Sequence, residues 1–207
     1  MDRVLILLAG LPGTGKTYLS HILQNFFGSF YLLSQDSLKE YYSDLLGFHN
    51  LEEKREVERT AWANYYEIME QQMQAGSNII SDYPFSQKQK PHIQKLAEGY
   101  GYRVLTIRLT ADLDVLYERQ KKRDLDPARH LSHIVTSYKK GQHLADRSKA
   151  DHLLTYEEFI KRCTTRGYDA FELGKLYEVD VTDYTKVNYS KLLEDIKRWE
   201  ESDRSFN

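Results

Sequence analysis

The sequence predicts an α/β fold in which helices cover both faces of a five-stranded parallel sheet. Short apolar runs alternate along the chain with longer segments whose apolar residues recur every three or four positions. The first run, residues 4–9, is apolar at every position, which is typical of a parallel strand that is buried on both faces. A glycine-rich loop at 10–15 joins this strand to a helical segment. Strands that alternate with helices favour a parallel sheet with right-handed crossovers.

Each further element is predicted from its periodicity or from a glycine that ends it. The long segment 52–75 carries one apolar stripe, which includes Val57, Tyr65 and Met69, and Gly76 ends it. The remaining predicted helices cover 16–27, 37–46, 112–122 and 189–199, and one more ends at 99 or 101. The remaining predicted strands cover 30–33, 78–81, 103–109 and 175–181.

Length, composition and charge limit the possible functions. With 207 residues, the chain fits a single domain, 1–207. The formal net charge of −2 provides no overall basic field to attract nucleic acid or anionic lipid. The apolar run 4–9 is too short to span a membrane and leads into the glycine loop, so we expect neither a membrane segment nor a signal peptide. The single cysteine, Cys163, weakly favours a reducing compartment, and the predicted location is the cytoplasm.

The loop after the first strand matches the phosphate-binding pattern G-x-x-x-x-G-K-[ST]. Its residues are Gly10, Leu11, Pro12, Gly13, Thr14, Gly15, Lys16 and Thr17. The glycines allow the backbone N–H groups to approach phosphate oxygens, and the next helix directs the positive end of its dipole at the same anion. Lys16 is expected to reach the β- and γ-phosphates, and the Thr17 hydroxyl to ligate Mg²⁺. Residues 11–17 therefore predict a P-loop fold, a three-layer α/β sandwich, that binds ATP and Mg²⁺.

Other motifs distinguish between the classes of protein that share this loop. A GTPase carries D-x-x-G after the third strand, whereas this chain reads DYPF at 82–85. The only candidate guanine-reading motif, TKVN at 185–188, lacks the aspartate of N/T-K-x-D. Motor-type ATPases usually place Glu beside the strand-end Asp to activate water, and Tyr83 occupies that position here. By elimination, the sequence favours a kinase, in which a substrate hydroxyl takes the place of water.

Six motifs follow one another along nearly the whole chain. They are GLPGTGKT at 10–17, Asp36 after the second strand, IISD at 79–82, Arg119-x-x-x-Arg123, RH-x-x-H at 129–133 and VDVT at 179–182. In their order and spacing, the chain resembles the P-loop kinase family that includes the 5′-kinase domain of bacteriophage polynucleotide kinase, chloramphenicol phosphotransferases and zeta-type toxins. The resemblance implies a nucleoside-kinase-like fold with a helical substrate-binding insert at about 37–75 and a helical lid at about 124–150.

The resemblance also implies roles for three side chains close to the second and third strands. Asp36 is expected to accept the proton of the substrate hydroxyl, or to hold that hydroxyl in line with the γ-phosphate; without the resemblance, a helix N-cap is an equal interpretation. Asp82 is expected to hold Mg²⁺ through a bound water, with contact to the substrate hydroxyl as the alternative. Lys39 stands where related polynucleotide kinases have arginine, and lysine lacks the two-pronged grip on phosphate. All three are candidate substrate-binding residues.

In kinases of this kind, arginines near the lid close over the phosphates. Arg119 and Arg123 lie four residues apart, on one face of the predicted helix, where they would stabilise charge in the transition state. Arg123 is also a candidate for stacking on adenine, and Arg129 is a candidate substrate contact in the lid. A solvated row of charges is the alternative interpretation of this basic run.

The predicted function is transfer of the γ-phosphate of Mg-ATP to a free hydroxyl of a small molecule. Lys16, Asp36, Arg119 and Arg123 are the predicted catalytic residues. Three alternatives stay open: a polynucleotide 5′-kinase, which the net charge and Lys39 disfavour, a non-catalytic ATP-binding switch, and a toxin kinase that acts on an activated sugar. The sequence leaves open the identity of the acceptor, the choice between ATP and GTP, and the oligomeric state.

Overall fold

Five parallel strands form one sheet in the computed structural model, which describes residues 3–202. The strands are β1 (Val4–Gly10), β2 (Tyr31–Ser34), β3 (Ile79–Asp82), β4 (Arg103–Thr110) and β5 (Lys175–Asp180), in the spatial order β2-β3-β1-β4-β5. The central strand β1 pairs with β3 on one side and with β4 on the other. This register aligns Leu8 with Asp82, and Asp82 with Ser34 of β2, so the ends of three strands meet beside the glycine loop.

Within residues 3–202, seven α-helices connect and cover the strands. They are α1 (Lys16–Phe27), α2 (Gln35–Leu46), α3 (Leu51–Gln74), α4 (Lys90–Gly99), α5 (Leu113–Leu125), α6 (Tyr156–Thr165) and α7 (Tyr189–Glu201). Helix α2 begins directly after β2, so Asp36 lies in its first turn, while the backbone of Ser34 occupies the N-cap position. Helix α6 was not predicted. Among the helices of residues 3–202, none has the length and apolar character needed to cross a membrane.

The sheet separates two hydrophobic cores because every residue of β1 is buried and successive side chains point to opposite faces. Leu5 and Leu7 pack with Tyr65 and Met69 of α3 on one face. The other face of β1 packs mainly on α1 and α7. A hydrogen bond of 2.7 Å joins the Tyr65 and Ser81 hydroxyls and fixes α3 to the end of β3. The apolar stripe of α3 is therefore core, as its periodicity predicts.

The turn from β1 into the glycine loop has room for glycine alone. Gly10 has φ of 116°, in a region that L side chains rarely adopt. A Cβ atom added there would lie 2.1 Å from the carbonyl oxygen of Leu109 in the neighbouring strand β4. The absence of a side chain therefore lets the loop leave the sheet close to β4, and this positions the loop at the sheet edge.

The segment predicted as a lid, 124–150, contributes a small core of its own. Leu131, Ile134, Val135 and Tyr138 are buried and pack with Phe48 and Val57, which belong to the predicted substrate-binding insert. Phe48 and Tyr138 exchange backbone hydrogen bonds of 2.8 and 2.7 Å. After α5, the helical structure of this segment consists of two short 3₁₀ helices, Leu131–His133 and Arg147–Lys149. The apolar residues of 124–150 are few and follow no steady period, but they form part of a hydrophobic core.

Candidate active site

A cavity of about 640 Å³ opens at the carboxyl ends of the parallel strands, where open α/β sheets bind their ligands. Its walls come from the glycine loop, the ends of β2 and β3, helices α2, α3 and α5, the segment after α5, and the C-terminal part of α6. The predicted site residues that line it are Pro12, Gly13, Gly15, Lys16, Thr17, Asp36, Lys39, Asp82, Arg119, Arg123 and Arg129. One cavity therefore unites predicted residues from the glycine loop, α2, the end of β3, α5 and the segment after α5.

Two predicted loop residues, Leu11 and Thr14, are not among the side chains that line the cavity. Thr14 is fully buried, and its hydroxyl donates a hydrogen bond of 2.9 Å to the carbonyl oxygen of Leu11. The Leu11 side chain packs against the apolar cluster of Leu116 and Phe159. Both residues thus stabilise the shape of the loop, and only their backbone groups are available to a phosphate.

Lys16 folds back into its own loop. Its Nζ donates hydrogen bonds of 2.8 Å to the carbonyl oxygen of Leu11 and 3.1 Å to that of Gly10. Burial, followed by the positive charge of Arg123, lowers the pKa of Lys16 to about 8. A phosphate anion would offer this ammonium group a stronger acceptor than two neutral carbonyls. With Gly13, Gly15 and Thr17, Lys16 forms what we call the phosphate wall of the cavity.

Thr17 and Asp82 meet where the prediction places Mg²⁺. The Thr17 hydroxyl donates a hydrogen bond of 2.7 Å to Oδ2 of Asp82. The other carboxylate oxygen, Oδ1, is buried and has no hydrogen-bond partner among the described residues. Burial raises the pKa of Asp82, although the Thr17 hydrogen bond opposes that shift. Two hard oxygen ligands, one of them on a carboxylate whose Oδ1 makes no hydrogen bond, fit Mg²⁺, which is held in proteins by one or two carboxylates and by waters.

Asp36 enters the cavity from the first turn of α2. Burial alone would raise the pKa of this carboxyl group, but the charges of His133, Lys39 and Arg129 outweigh it and hold the pKa well below its usual range. The Asp36 side chain makes no capping hydrogen bond at the N-terminus of α2. The structure therefore favours a site for Asp36 over the N-cap interpretation, with the carboxylate ionised and surrounded by cations.

Lys39 is oriented by a residue that the sequence analysis did not assign to the site. Its Nζ donates a hydrogen bond of 2.9 Å to the Tyr83 hydroxyl and lies 4.8 Å from the centre of that ring. Tyr83 follows Asp82 directly and is itself packed edge-on against Trp62, with ring centres 4.9 Å apart. Trp62 of α3 therefore packs behind Tyr83 and stabilises this wall of the cavity.

Arg119 and Arg123 both line the cavity but have different partners. Arg119 donates hydrogen bonds of 2.8 and 2.9 Å to the carbonyl oxygens of Val181 and Thr182, and its guanidinium carbon lies 3.8 Å from the ring centre of Tyr184. Arg123 is exposed and donates a hydrogen bond of 2.8 Å to Gln120. Arg119 is thus stacked and fixed, whereas Arg123 reaches over the cavity opening.

Arg129 and two histidines connect the segment after α5 to α2. Arg129 lies between the carboxylates of Glu40 and Asp124, at 3.9 Å from each. His133 Nε2 is 2.7 Å from Glu40, and His130 Nε2 is 3.2 Å from Asp44. Asp44 also accepts a hydrogen bond of 2.5 Å from the Tyr138 hydroxyl. The histidines of the RH-x-x-H motif therefore pair with carboxylates of α2, and these pairs close the cavity on that side.

The cavity is also lined by residues that the sequence analysis missed. They are Lys54, Glu58, His152, Arg162 and Arg166, which we call the distal wall. Arg162 lies in α6 and Arg166 is the C-cap of this helix. The helix starts with a capping box, in which the Thr155 side chain accepts a hydrogen bond from the Glu158 backbone N–H and the Glu158 side chain accepts one from the Thr155 backbone N–H. The pattern T-x-x-E at 155–158 was a readable signal for this helix. Nothing in the sequence pattern indicates that Lys54 faces inward, because α3 is mostly polar around it.

The strand order, the glycine loop and the cavity define a P-loop α/β fold of the kind found in kinases. The sequence profile of the family described as "AAA domain" matches residues 5–140, about two thirds of the chain. The chain belongs to this family, and its resemblance to P-loop kinases is confirmed. A comparison with curated protein sequences gives no match.

Solved structures with the same fold include several kinases. A kinase candidate from Chloroflexus aurantiacus j-10-fl is 24% identical with a TM-score of 0.75, and the alignment covers 98% of both chains. A sugar kinase from Janibacter sp. HTCC2649 is 16% identical with a TM-score of 0.55 and coverage of 97% and 95%. A gluconokinase from Sinorhizobium meliloti 1021 is 13% identical with a TM-score of 0.51 and coverage of 93% and 88%. At these identities, the likeness shows the fold.

Proposed function

We propose that the protein is an ATP-dependent kinase that transfers the γ-phosphate of ATP to a hydroxyl group of a small molecule. The single observation that carries the proposal is that one cavity holds the phosphate wall, the Thr17–Asp82 pair and the ionised Asp36 together. A phosphate-binding loop alone would fit many nucleotide-binding proteins. A cation-surrounded carboxylate that faces the same cavity is what a hydroxyl acceptor requires.

In the proposed reaction, the hydroxyl oxygen of the acceptor forms a bond to the γ-phosphorus, and the bond from that phosphorus to the bridging β–γ oxygen breaks. ADP leaves with the electron pair of that bond, and the hydroxyl proton passes to Asp36 or to solvent. The low pKa of Asp36 makes it a weak base, so its main task is to accept a hydrogen bond and align the hydroxyl. Alignment suffices because phosphoryl transfer has a loose transition state that depends on positioning more than on base strength.

The cations around the cavity would bind the phosphates, stabilise the transferring group and contact the nucleotide base. Lys16 would bind the β- and γ-phosphates, and Arg123, exposed at the opening, is free to swing onto the transferring group. Arg119 and Tyr184, stacked beside the loop after β5, offer a flat surface for the nucleotide base. Stacking on the base fits Arg119 better than Arg123, for which the sequence analysis proposed it.

Thr17 and Asp82 would hold Mg²⁺, Thr17 by its hydroxyl and Asp82 through a bound water. When bound, Mg²⁺ neutralises charge on the β- and γ-phosphates. The unpartnered Oδ1 of Asp82 supports this assignment, since a buried carboxylate oxygen without a hydrogen bond is costly unless a cation or water meets it.

The volume of the cavity favours a small molecule as the acceptor. The cavity of about 640 Å³ lies within the range of small-molecule sites and must hold the triphosphate as well. The sugar kinase and the gluconokinase with the same fold support this class of acceptor. Lys39, bonded to Tyr83, also lacks the planar grip that a polynucleotide phosphate would favour.

The test is a product assay with γ-labelled ATP, Mg²⁺ and a metabolite extract, in which wild type and Asp36→Asn are compared. We expect a labelled organic product with the wild type, and loss of that product by a factor of ~10² or more in the variant. ATP binding should be retained in both proteins, because Asp36 makes no hydrogen bond to the glycine loop and acts on Lys16 only through its charge. Free phosphate as the sole labelled product, formed equally by both proteins, would contradict the proposal and favour an ATP-binding switch.

A further inference from the structure

The distal wall of the cavity carries a surplus of positive charge. Lys54, Arg162 and Arg166 contribute three cations, whereas Glu58 is the one carboxylate of this wall. Lys54 and Arg162 are half-buried, so their charges are only partly hydrated. His152 lies among them, and burial, followed by the charges of Lys54 and Arg162, lowers its pKa, so it adds a neutral ring at pH 7.

The three cations of the distal wall form no ion pairs with carboxylates of residues 3–202. Among residues 3–202, no carboxylate lies within 4.0 Å of the charged nitrogens of Lys54, Arg162 or Arg166. Lys54 donates to the carbonyl oxygen of Val135 at 3.1 Å, and Arg166 to the Tyr168 hydroxyl at 3.3 Å. Neither acceptor carries a charge, so neither cation is held in an ion pair, although Glu58 and Asp151 act on Lys54 at longer range.

Repulsion between the cations of the distal wall also favours the binding of an anion there. Burial, followed by the charges of Lys39 and Arg162, lowers the pKa of Lys54 to about 8, although Glu58 acts in the opposite direction. Holding like charges together in a partly dry cavity costs free energy, and an anion that enters the cavity would remove that cost. The phosphate wall has its own cation, Lys16, so the charge of the distal wall is additional to what the nucleotide needs.

The charge of Lys39 connects Asp36 with the distal wall, because it acts on Lys54 as well. Lys39, one turn after Asp36 on α2, feels the charges of both Asp36 and Glu58. Glu58 lies one turn after Lys54 on α3 and acts on it directly. An acceptor whose hydroxyl sits at Asp36 would therefore extend past Lys39 towards Lys54 and Arg162.

We propose that the acceptor is a small alcohol that also carries an anionic group, phosphate or carboxylate, and that Lys54 and Arg162 bind this group. The inference rests on the proposed function, because it takes Asp36 as the place of the reacting hydroxyl. Arg162 supplies a planar pair of N–H donors, which suits both phosphate and carboxylate, and Lys54 supplies a point charge. Arg166 is exposed and contributes at the cavity rim.

The first test is a calorimetric titration of the protein with inorganic phosphate, acetate and, as the neutral probe, glycerol. The protein is saturated with Mg²⁺ and a non-hydrolysable ATP analogue, so that the phosphate wall is occupied. Arg162→Met and Lys54→Met should each weaken binding of phosphate or acetate by about tenfold or more, since each removes a charged hydrogen-bond donor. The matched controls are Lys161→Met and Arg55→Met, which remove exposed neighbouring charges on the same helices and should bind as the wild type does.

Equal anion binding by Arg162→Met and Lys161→Met, or no binding of either anion to the wild type, would overturn the inference. Thermal unfolding of each variant checks that it is folded. A protein that does not bind the ATP analogue would contradict the proposed function. In that case the same titration without the analogue still tests the distal wall, because the readout remains the difference between each variant and its control.

The second test separates acceptors by charge. A metabolite extract is divided on an anion-exchange resin, and the retained and unretained fractions are each incubated with γ-labelled ATP beside a 5′-hydroxyl oligonucleotide. We expect labelled product from the retained fraction, and loss of it in Arg162→Met but not in Lys161→Met. Labelling of the unretained fraction alone, or of the oligonucleotide alone, would show a kinase with a different acceptor and would overturn the inference.

Discussion

The phosphate wall and the distal wall of the cavity are built in different ways. The phosphate wall comes from one continuous stretch after β1, and its backbone is fixed by Gly10 against β4. The distal wall is assembled from α3, α6 and the loop between α6 and the 3₁₀ helices, which are far apart in sequence. Under the proposed function, the first wall would bind a group that all P-loop proteins share, which explains why its residues form a motif. The second wall would fit one particular acceptor, and its residues form no motif.

The two walls also differ in how their charges are satisfied. Lys16 is buried and bonded to carbonyls of its own loop, whereas Lys54 and Arg162 line the cavity without an ion pair to a carboxylate. Loss of a phosphate-wall residue should therefore abolish the reaction with any acceptor. Loss of a distal-wall residue should instead change which acceptor is used.

The largest expected effect is that of Lys16→Met on the phosphate wall. Removal of a group that stabilises developing charge costs ~10²–10³ in rate, so we expect kcat to fall by that factor or more. Steady-state ADP release with a saturating acceptor fraction measures the effect. Lys121→Met, which removes an exposed charge on α5, is the control and should keep full activity. If Lys16→Met keeps the wild-type kcat, the phosphate wall has no role in the transfer step.

The second effect concerns the metal. Asp82→Asn keeps the shape but weakens the negative charge that would hold Mg²⁺ through water, and outer-shell changes of this kind typically cost ~10–100-fold in metal affinity. We therefore expect the Mg²⁺ concentration for half-maximal activity to rise by that factor. Nucleotide binding in the presence of EDTA should not change. If the metal requirement stays the same, Asp82 has another role, such as contact with the acceptor hydroxyl.

The third effect is a pH dependence of nucleotide binding. The pKa of Lys16 is about 8 in the free protein, and a bound phosphate would raise it, because an anion favours the charged ammonium. Affinity for ATP should thus be constant well below pH 8 and should fall above it, by up to about tenfold per pH unit until the raised pKa is reached. Equilibrium binding at pH 7, 8 and 9 measures this slope. Lys16→Met should bind weakly at all three values, without the slope; a wild type that shows none either would contradict the assignment.

The smallest effect concerns the pairs that join the segment after α5 to α2. Tyr138→Phe removes the hydroxyl that donates to Asp44 but keeps the buried ring. We expect the free energy of unfolding to fall by about 1 kcal/mol, as for a typical hydrogen bond. Chemical denaturation measures it, and Tyr41→Phe, at an exposed position of α2, is the control. An unchanged stability would mean that the hydroxyl bond contributes nothing to holding the two parts together.

How far the sequence predicts the structure differs between the two walls. The strands and the start of α1 follow from short apolar runs, from apolar residues that recur every three or four positions and from one glycine motif, and the meeting of Thr17 with Asp82 follows from that motif and the strand-end aspartate. The start of α2 was predicted two residues late, because the chain enters this helix directly from β2 without a separating turn.

The distal wall could not be predicted in the same way. Lys54 and Glu58 lie on a long polar surface of α3, and only the packing of Phe48 and Val57 against the segment after α5 determines which part of that surface faces the cavity. Arg162 lies on a helix whose capping box was overlooked. The inward charges of this wall are thus a consequence of tertiary packing, for which local sequence carries no signal.

The most direct test of the central claim is to run the reaction in ¹⁸O-labelled water with the acceptor fraction and to analyse the products by mass spectrometry. A kinase moves the phosphoryl group from ATP to a substrate oxygen, so the account predicts a phosphorylated organic product that contains no oxygen from water. Free phosphate that carries one ¹⁸O atom as the main product, at the same rate with and without the acceptor fraction, would show that water is the acceptor and would contradict it.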